Sequence, residues 1–130
     1  MPLISGDEAA RFFDAFVEAF ASFDGATVAA RYTPPFLAVD AEGSATAFSS
    51  REEIARYFQR FLDDYHAQGS RSCRYRDLEV ARAGAAGALL TVTWELLRAD
   101  GSVTQTWRES YLVVRSAGAL QVAASIDHAD

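Results

Sequence analysis

The ten residues from Arg31 to Asp40, Arg-Tyr-Thr-Pro-Pro-Phe-Leu-Ala-Val-Asp, mark a change in the spacing of apolar residues. Before them apolar side chains recur at intervals of three and four, the period of a helix packed on one side. After them come a short alternating hairpin, one more helical stretch and four alternating runs. A chain that makes its helices first and its strands last can bury both by laying a sheet over the helices. The expected class is therefore α+β.

Ser5 and Glu8 have the spacing of a capping box, so a helix is expected from about Gly6, with Ala9, Phe12, Phe13, Phe16, Val17 and Phe20 on one face. Asp24-Gly25 ends it, and Asp24 is placed to cap a short second helix through Val28 to Tyr32, with Pro34-Pro35 as its stop. Phe36 to Ala41 alternates as a strand, Glu42-Gly43-Ser44 turns it, and Ala45 to Phe48 returns. Ser50 and Glu53 repeat the capping box ahead of a stripe made by Ile54, Tyr57, Phe58, Phe61, Leu62 and Tyr65, which Gly69 closes.

The runs Ser72 to Ala83, Ala88 to Arg98, Val103 to Arg115 and Leu120 to His128 are joined by short turn signals, which makes them antiparallel neighbours. Both phases carry large apolar residues: Leu90, Val92, Trp94 and Leu96 in one, Leu89 and Leu97 in the other. One face should cover the helices, and the outer face should meet a second copy of the chain in a homodimer.

At 130 residues this is one domain, spanning 1–130. A net charge of −6 with scattered cations argues against nucleic acid and against anionic membranes. The single cysteine allows no intrachain disulfide, and no stretch has the length and apolarity of a membrane span, so a cytoplasmic location is expected. All 12 cations are arginine, which with abundant alanine suggests a bacterial source. His66 and His128 stand alone, so neither a metal nor a cofactor is expected.

The order helix, short helix, hairpin, helix and four-stranded meander resembles the nuclear transport factor 2-like superfamily over essentially the whole chain. That resemblance implies a cystatin-like cone, a curved antiparallel sheet wrapped around the helices. Within it, similarity to ketosteroid isomerase sets Asp40 on the general base, Phe16 on the oxyanion-donating tyrosine and Tyr111 on the protonated acid. Phe16 has no hydroxyl, so steroid isomerisation is not expected. The resemblance also implies that Trp107, Glu109 and Tyr111, and Ala123, Ser125 and Asp127, line the cone. SnoaL-like polyketide cyclases, scytalone dehydratase and limonene epoxide hydrolase place acid–base groups on these strands.

The candidate catalytic residues are thus Asp40, Asp127 and Tyr111, and the candidate ligand contacts are Phe16, Phe20, Tyr32, Tyr57, Phe61, Trp107, Glu109 and Ser125. Each has a plainer reading. Asp40 can cap its own turn, Asp127 can be a solvated chain end, Glu109 can pair with an arginine, and the tyrosines and tryptophans can be packing residues. Three functions compete: a pocket for a small, largely apolar organic molecule; a cofactor-free isomerase, cyclase or dehydratase with a carboxylate base; and a non-catalytic association module. A buried carboxylate with a raised pKa inside an open cavity favours the second, an apolar pocket with no buried acid favours the first, and a filled cone favours the third.

Overall fold

The computed structural model describes residues 2–129. Its elements are α1 (Gly6–Ala21), α2 (Gly25–Ala29), β1 (Tyr32–Val39), β2 (Ala45–Phe48), α3 (Arg51–Ala67), β3 (Ser72–Ala83), β4 (Gly87–Leu97), β5 (Val103–Ser116) and β6 (Ala119–Asp127). The six strands form one curved, unclosed sheet in the order β2-β1-β6-β5-β4-β3. All neighbours are antiparallel except β1 and β6, a parallel pair that brings the hairpin back to the end of the meander.

Both helix starts follow the serine signals. Ser5 Oγ accepts the Glu8 amide at 3.0 Å, and Ser50 Oγ accepts the Glu53 amide at 3.2 Å. Glu8 does more than complete a box: its carboxylate takes two bonds from the Arg115 guanidinium, at 2.6 and 2.9 Å, tying α1 to β5. That contact holds the Glu8 carboxyl below its usual range.

The short second helix stops at Ala29, and β1 begins at Tyr32, four residues before the expected Phe36. Pro34 and Pro35 lie inside the strand instead of ending the helix. The pairing of β1 with β6 shifts register between Tyr32 and Leu37, across the two residues that have no amide to donate. Gly25 opens α2 where a Cβ would collide with the Ala55 carbonyl, so the glycine permits α2 and α3 to touch; its amide donates to Gln59 Oε1 at 2.6 Å.

The core lies between α1 and the concave face of the sheet. Phe13 is fully buried, with ring centroids 5.4 Å from Tyr75, 5.9 Å from Trp94 and 5.5 Å from Tyr111. Leu90, Val92, Trp94 and Leu96 all face inward, as their common phase requires. Ala123 departs from the expected phase. Ala124 pairs with Leu112 but Val122 pairs with Val113, so Ala123 is the extra residue of a bulge and Val122 takes the inward position.

The aromatic residues of α3 do not share one environment. Phe58 packs on Tyr32, whereas Phe61 is 40% exposed. Phe13→Ala is therefore expected to cost about 3–5 kcal/mol, and Phe61→Ala about 1 kcal/mol or less. Urea unfolding of the two variants checks this; equal losses would contradict the assignment of the core to the α1 side.

Candidate functional site

Where α1 ends, the cone opens into a cavity of about 400 Å3 between α3 and the concave sheet. Strand phase determines what reaches it. On β5, Trp107, Glu109 and Tyr111 point inward while Arg108 and Ser110 point out; on β6, Ser125 and Asp127 point inward. Arg108 accordingly bonds on the outer face to Thr93 Oγ1, at 3.0 Å, and lies 3.4 Å from Glu79.

Glu109 and Asp127 are cross-strand partners, so two carboxyls meet within hydrogen-bonding reach on the cavity wall. The Trp107 indole N–H donates to Glu109 Oε1 at 2.8 Å. The Trp94 indole N–H donates to the Tyr111 hydroxyl oxygen at 2.6 Å, and the Tyr111 hydroxyl lies near Glu109, where it favours the charged carboxylate. Glu109 thus accepts from the indole of Trp107 on its own strand, with no arginine opposite it.

Burial, followed by the charge on Asp127, pushes the Glu109 carboxyl up to about 8, against an ordinary value of 4.5. Asp127 is also raised, chiefly by burial. Its bond with Glu109 opposes that rise, so Asp127 loses its proton first and Glu109 keeps one. Near neutral pH the pair carries one proton and one negative charge, an acid and a base side by side.

The tyrosine hydroxyls around the pair are held protonated. Tyr32 and Tyr111 are pushed far up by burial first, and by the charge of Glu109 second. Tyr65 is raised in the same way, and Tyr57 by burial first and by the charge of Asp127 second. Cys73 also lines the cavity, and burial lifts its thiol to about 12, which removes it as a nucleophile.

Of the residues expected to contact a ligand, Phe16, Phe20, Tyr32, Tyr57, Phe61, Trp107, Glu109 and Ser125 all border this cavity. Tyr111 and Asp127 do as well. Both tryptophans, Trp94 and Trp107, border it too. Glu109 is paired with Asp127 in place of an arginine; the glutamates of the sheet that meet arginines are Glu95, 2.7 Å from Arg74, and Glu79, 3.4 Å from Arg108.

Asp40 requires a correction. It borders the cavity but is exposed, and it is not buried beside Phe16 and Phe20. Its Oδ1 accepts the amides of Glu42 and Ser44 at 3.0 and 2.9 Å, the bonds of an aspartate that caps its own turn. His128 reaches the rim too, with Nε2 2.7 Å from Ser110 Oγ, which in turn is 2.7 Å from Thr91 Oγ1. Among the described residues, no group of three or more His, Cys, Asp or Glu is arranged to hold a metal, and no helix is long and apolar enough to cross a membrane.

The raised carboxyl has a consequence for stability. Between pH 4.5 and about 8 the folded chain binds more protons at Glu109 than the unfolded chain does, so stability falls as pH rises through that window and levels off above it. Glu8, lowered by Arg115, acts in the opposite sense and below this window. Glu109→Gln is expected to flatten the fall and to make the protein more stable than wild type above pH 8. Urea midpoints at several pH values check this; a flat wild-type profile would contradict it.

The architecture and the site can be set beside known proteins. A search of the curated proteins finds no match. Solved structures share the fold at low identity. A protein of unknown function with a cystatin-like fold from Nostoc punctiforme matches with TM-score 0.77 at 14% identity, covering 100% of this chain and 96% of that one. Aln2 from Streptomyces matches with TM-score 0.76 at 17% identity, covering 97% and 93%. A ketosteroid isomerase-like protein from Erwinia carotovora atroseptica matches with TM-score 0.68 at 22% identity, covering 95% and 96%. The family model described as NTF2-like protein (DUF6841) matches residues 7–130, and on that match the chain belongs to this NTF2-like family.

Proposed function

We propose that the cavity takes up a small, largely apolar organic molecule and presents the Glu109–Asp127 pair to it. One observation carries uptake of a small molecule: a cavity of about 400 Å3 with a mainly apolar wall, ten of whose residues are aromatic. The buried carboxyl pair on that wall goes beyond an acid-free pocket and is what the second reading uses. That volume falls within the ~300–1,000 Å3 range of small-molecule sites, and a few convergent polar groups in an apolar wall is their usual composition. A filled cone would have favoured an association module; this cone is open.

The raised Glu109 carboxyl supports a second reading, a cofactor-free isomerase, cyclase or dehydratase. In it the Asp127 carboxylate takes a proton from a carbon next to a carbonyl, and the C–H electron pair moves into the enolate. Protonated Glu109 hydrogen-bonds to the enolate oxygen, supported by Tyr111, and Asp127 returns the proton to another carbon. This assigns the base to Asp127 and the acid to Glu109, and leaves Asp40 to its turn. The Tyr111 hydroxyl supplies part of what Phe16 lacks.

A homodimer through the outer sheet face accompanies both readings. Leu37, Ala124, Leu112 and Leu89 stand in register across β1, β6, β5 and β4, and the three leucines are exposed, with Ile126 beside them. Such a row across four strands is the kind of apolar surface that a second copy covers. The single buried cysteine and the acidic surface fit a cytoplasmic protein without nucleic-acid or membrane partners.

Native mass spectrometry of freshly purified protein tests ligand and partner together. The expected result is a dimer that retains a small organic molecule, with Leu112→Glu reducing it to monomer. A wild-type monomer at micromolar concentration would remove the interface. Failure to bind any apolar probe offered at millimolar concentration would remove the pocket reading.

A further inference from the structure

The walls of the cavity are unbalanced in charge. Glu109 and Asp127 stand on its wall and Asp40 at its rim, yet none of the chain's 12 arginines lines it. Elsewhere the chain matches buried or half-buried acids with arginine: Glu95 meets Arg74 and Arg76, and Glu8 meets Arg115. In the cavity the countercharge is missing.

The groups that face the pair do not provide one. From β1 this is Tyr32, from the turn that follows it Asp40 and Glu42, from α3 Tyr57 and Tyr65, and from β5 Tyr111. The one basic group is His128, whose Nε2 is engaged by Ser110 Oγ. Tyr32 is 1% exposed and lines the cavity, and burial keeps its hydroxyl protonated and so uncharged.

The apolar part of the wall is suited to positive charge. Tyr57, Phe61 and Tyr65 from α3 and Trp107 from β5 form a continuous aromatic run, with ring centroids 5.0, 6.1 and 6.2 Å apart in turn. Ring faces carry negative potential, and several rings around one site with a carboxylate nearby is the arrangement that holds ammonium groups.

We propose that the ligand is an organic cation, an amine or quaternary ammonium on an apolar body, with its charge held between the Glu109–Asp127 pair and the aromatic run. This rests on the small-molecule reading and adds the sign of the ligand's charge. An anionic ligand would meet only acids and ring faces. A neutral one would leave the charge of the pair uncompensated. A cation supplies the missing countercharge, balancing the single negative charge that the pair carries while it shares one proton.

Both tryptophans line the cavity, so intrinsic fluorescence reports its occupation. Benzyltrimethylammonium and its neutral isostere neopentylbenzene differ in charge and hardly in shape. The expected result is at least tenfold tighter binding of the cation, which benzoate does not share. In the Glu109→Gln/Asp127→Asn double variant the preference for the cation should vanish. The wild-type comparison decides alone if that variant does not fold. Neopentylbenzene bound as tightly as the cation would overturn the cation reading and leave the pocket reading standing. Binding of neither would overturn both.

Discussion

Phe13 and Phe16 each touch both Trp94 and Tyr111, and the cavity depends on this four-ring contact. It plugs one end of the cone with α1, so that the other end can stay open without exposing the core. It also holds two of the polar aromatic groups in place: Trp94 donates to Tyr111, and the Tyr111 hydroxyl lies near Glu109. A hydrophobic contact thereby sets the geometry of a charged one. Loosening the ring cluster would release the Tyr111 hydroxyl from its place near Glu109, and the site would lose definition before the fold was lost.

The carboxyl pair is the feature the structure retains against its own stability. Two acids in one low-dielectric wall repel when both ionise, and neither is offset by an arginine. Replacing the pair with apolar residues would remove that conflict. Its place at an open cavity, ringed by hydroxyls and aromatic faces, connects the cost to what enters: a ligand that accepts a proton, donates one or carries positive charge relieves it.

Much of this was legible in the residues. The serine caps, the aromatic stripes and the alternation of β4 are local signals, and the structure follows them. The inward phase of Trp107, Glu109 and Tyr111 was implied by the family resemblance, and these residues do line the cavity. What was not legible is non-local. The bulge at Ala123 adjusts the β5–β6 register, and only the paired strands show that Glu109 faces Asp127 and not an arginine. Asp40 illustrates a competition: its phase puts it on the cavity side, but the Glu42 and Ser44 amides lie closer along the chain and take its carboxylate. Pro34 and Pro35 read as a helix stop, but α2 has already ended at Ala29 and the two belong to a strand whose pairing skips them.

The central claim is that Glu109 and Asp127 share a proton on the cavity wall. Carbon-13 NMR of the side-chain carboxyls, titrated from pH 3 to pH 10, tests it most directly, with Glu109→Gln and Asp127→Asn to assign the signals. The account predicts that one of the pair titrates near pH 8, above the other glutamates, and that the signal moves down when its partner becomes an amide. Two independent titrations in the ordinary carboxylate range, each indifferent to substitution of the other residue, would contradict it.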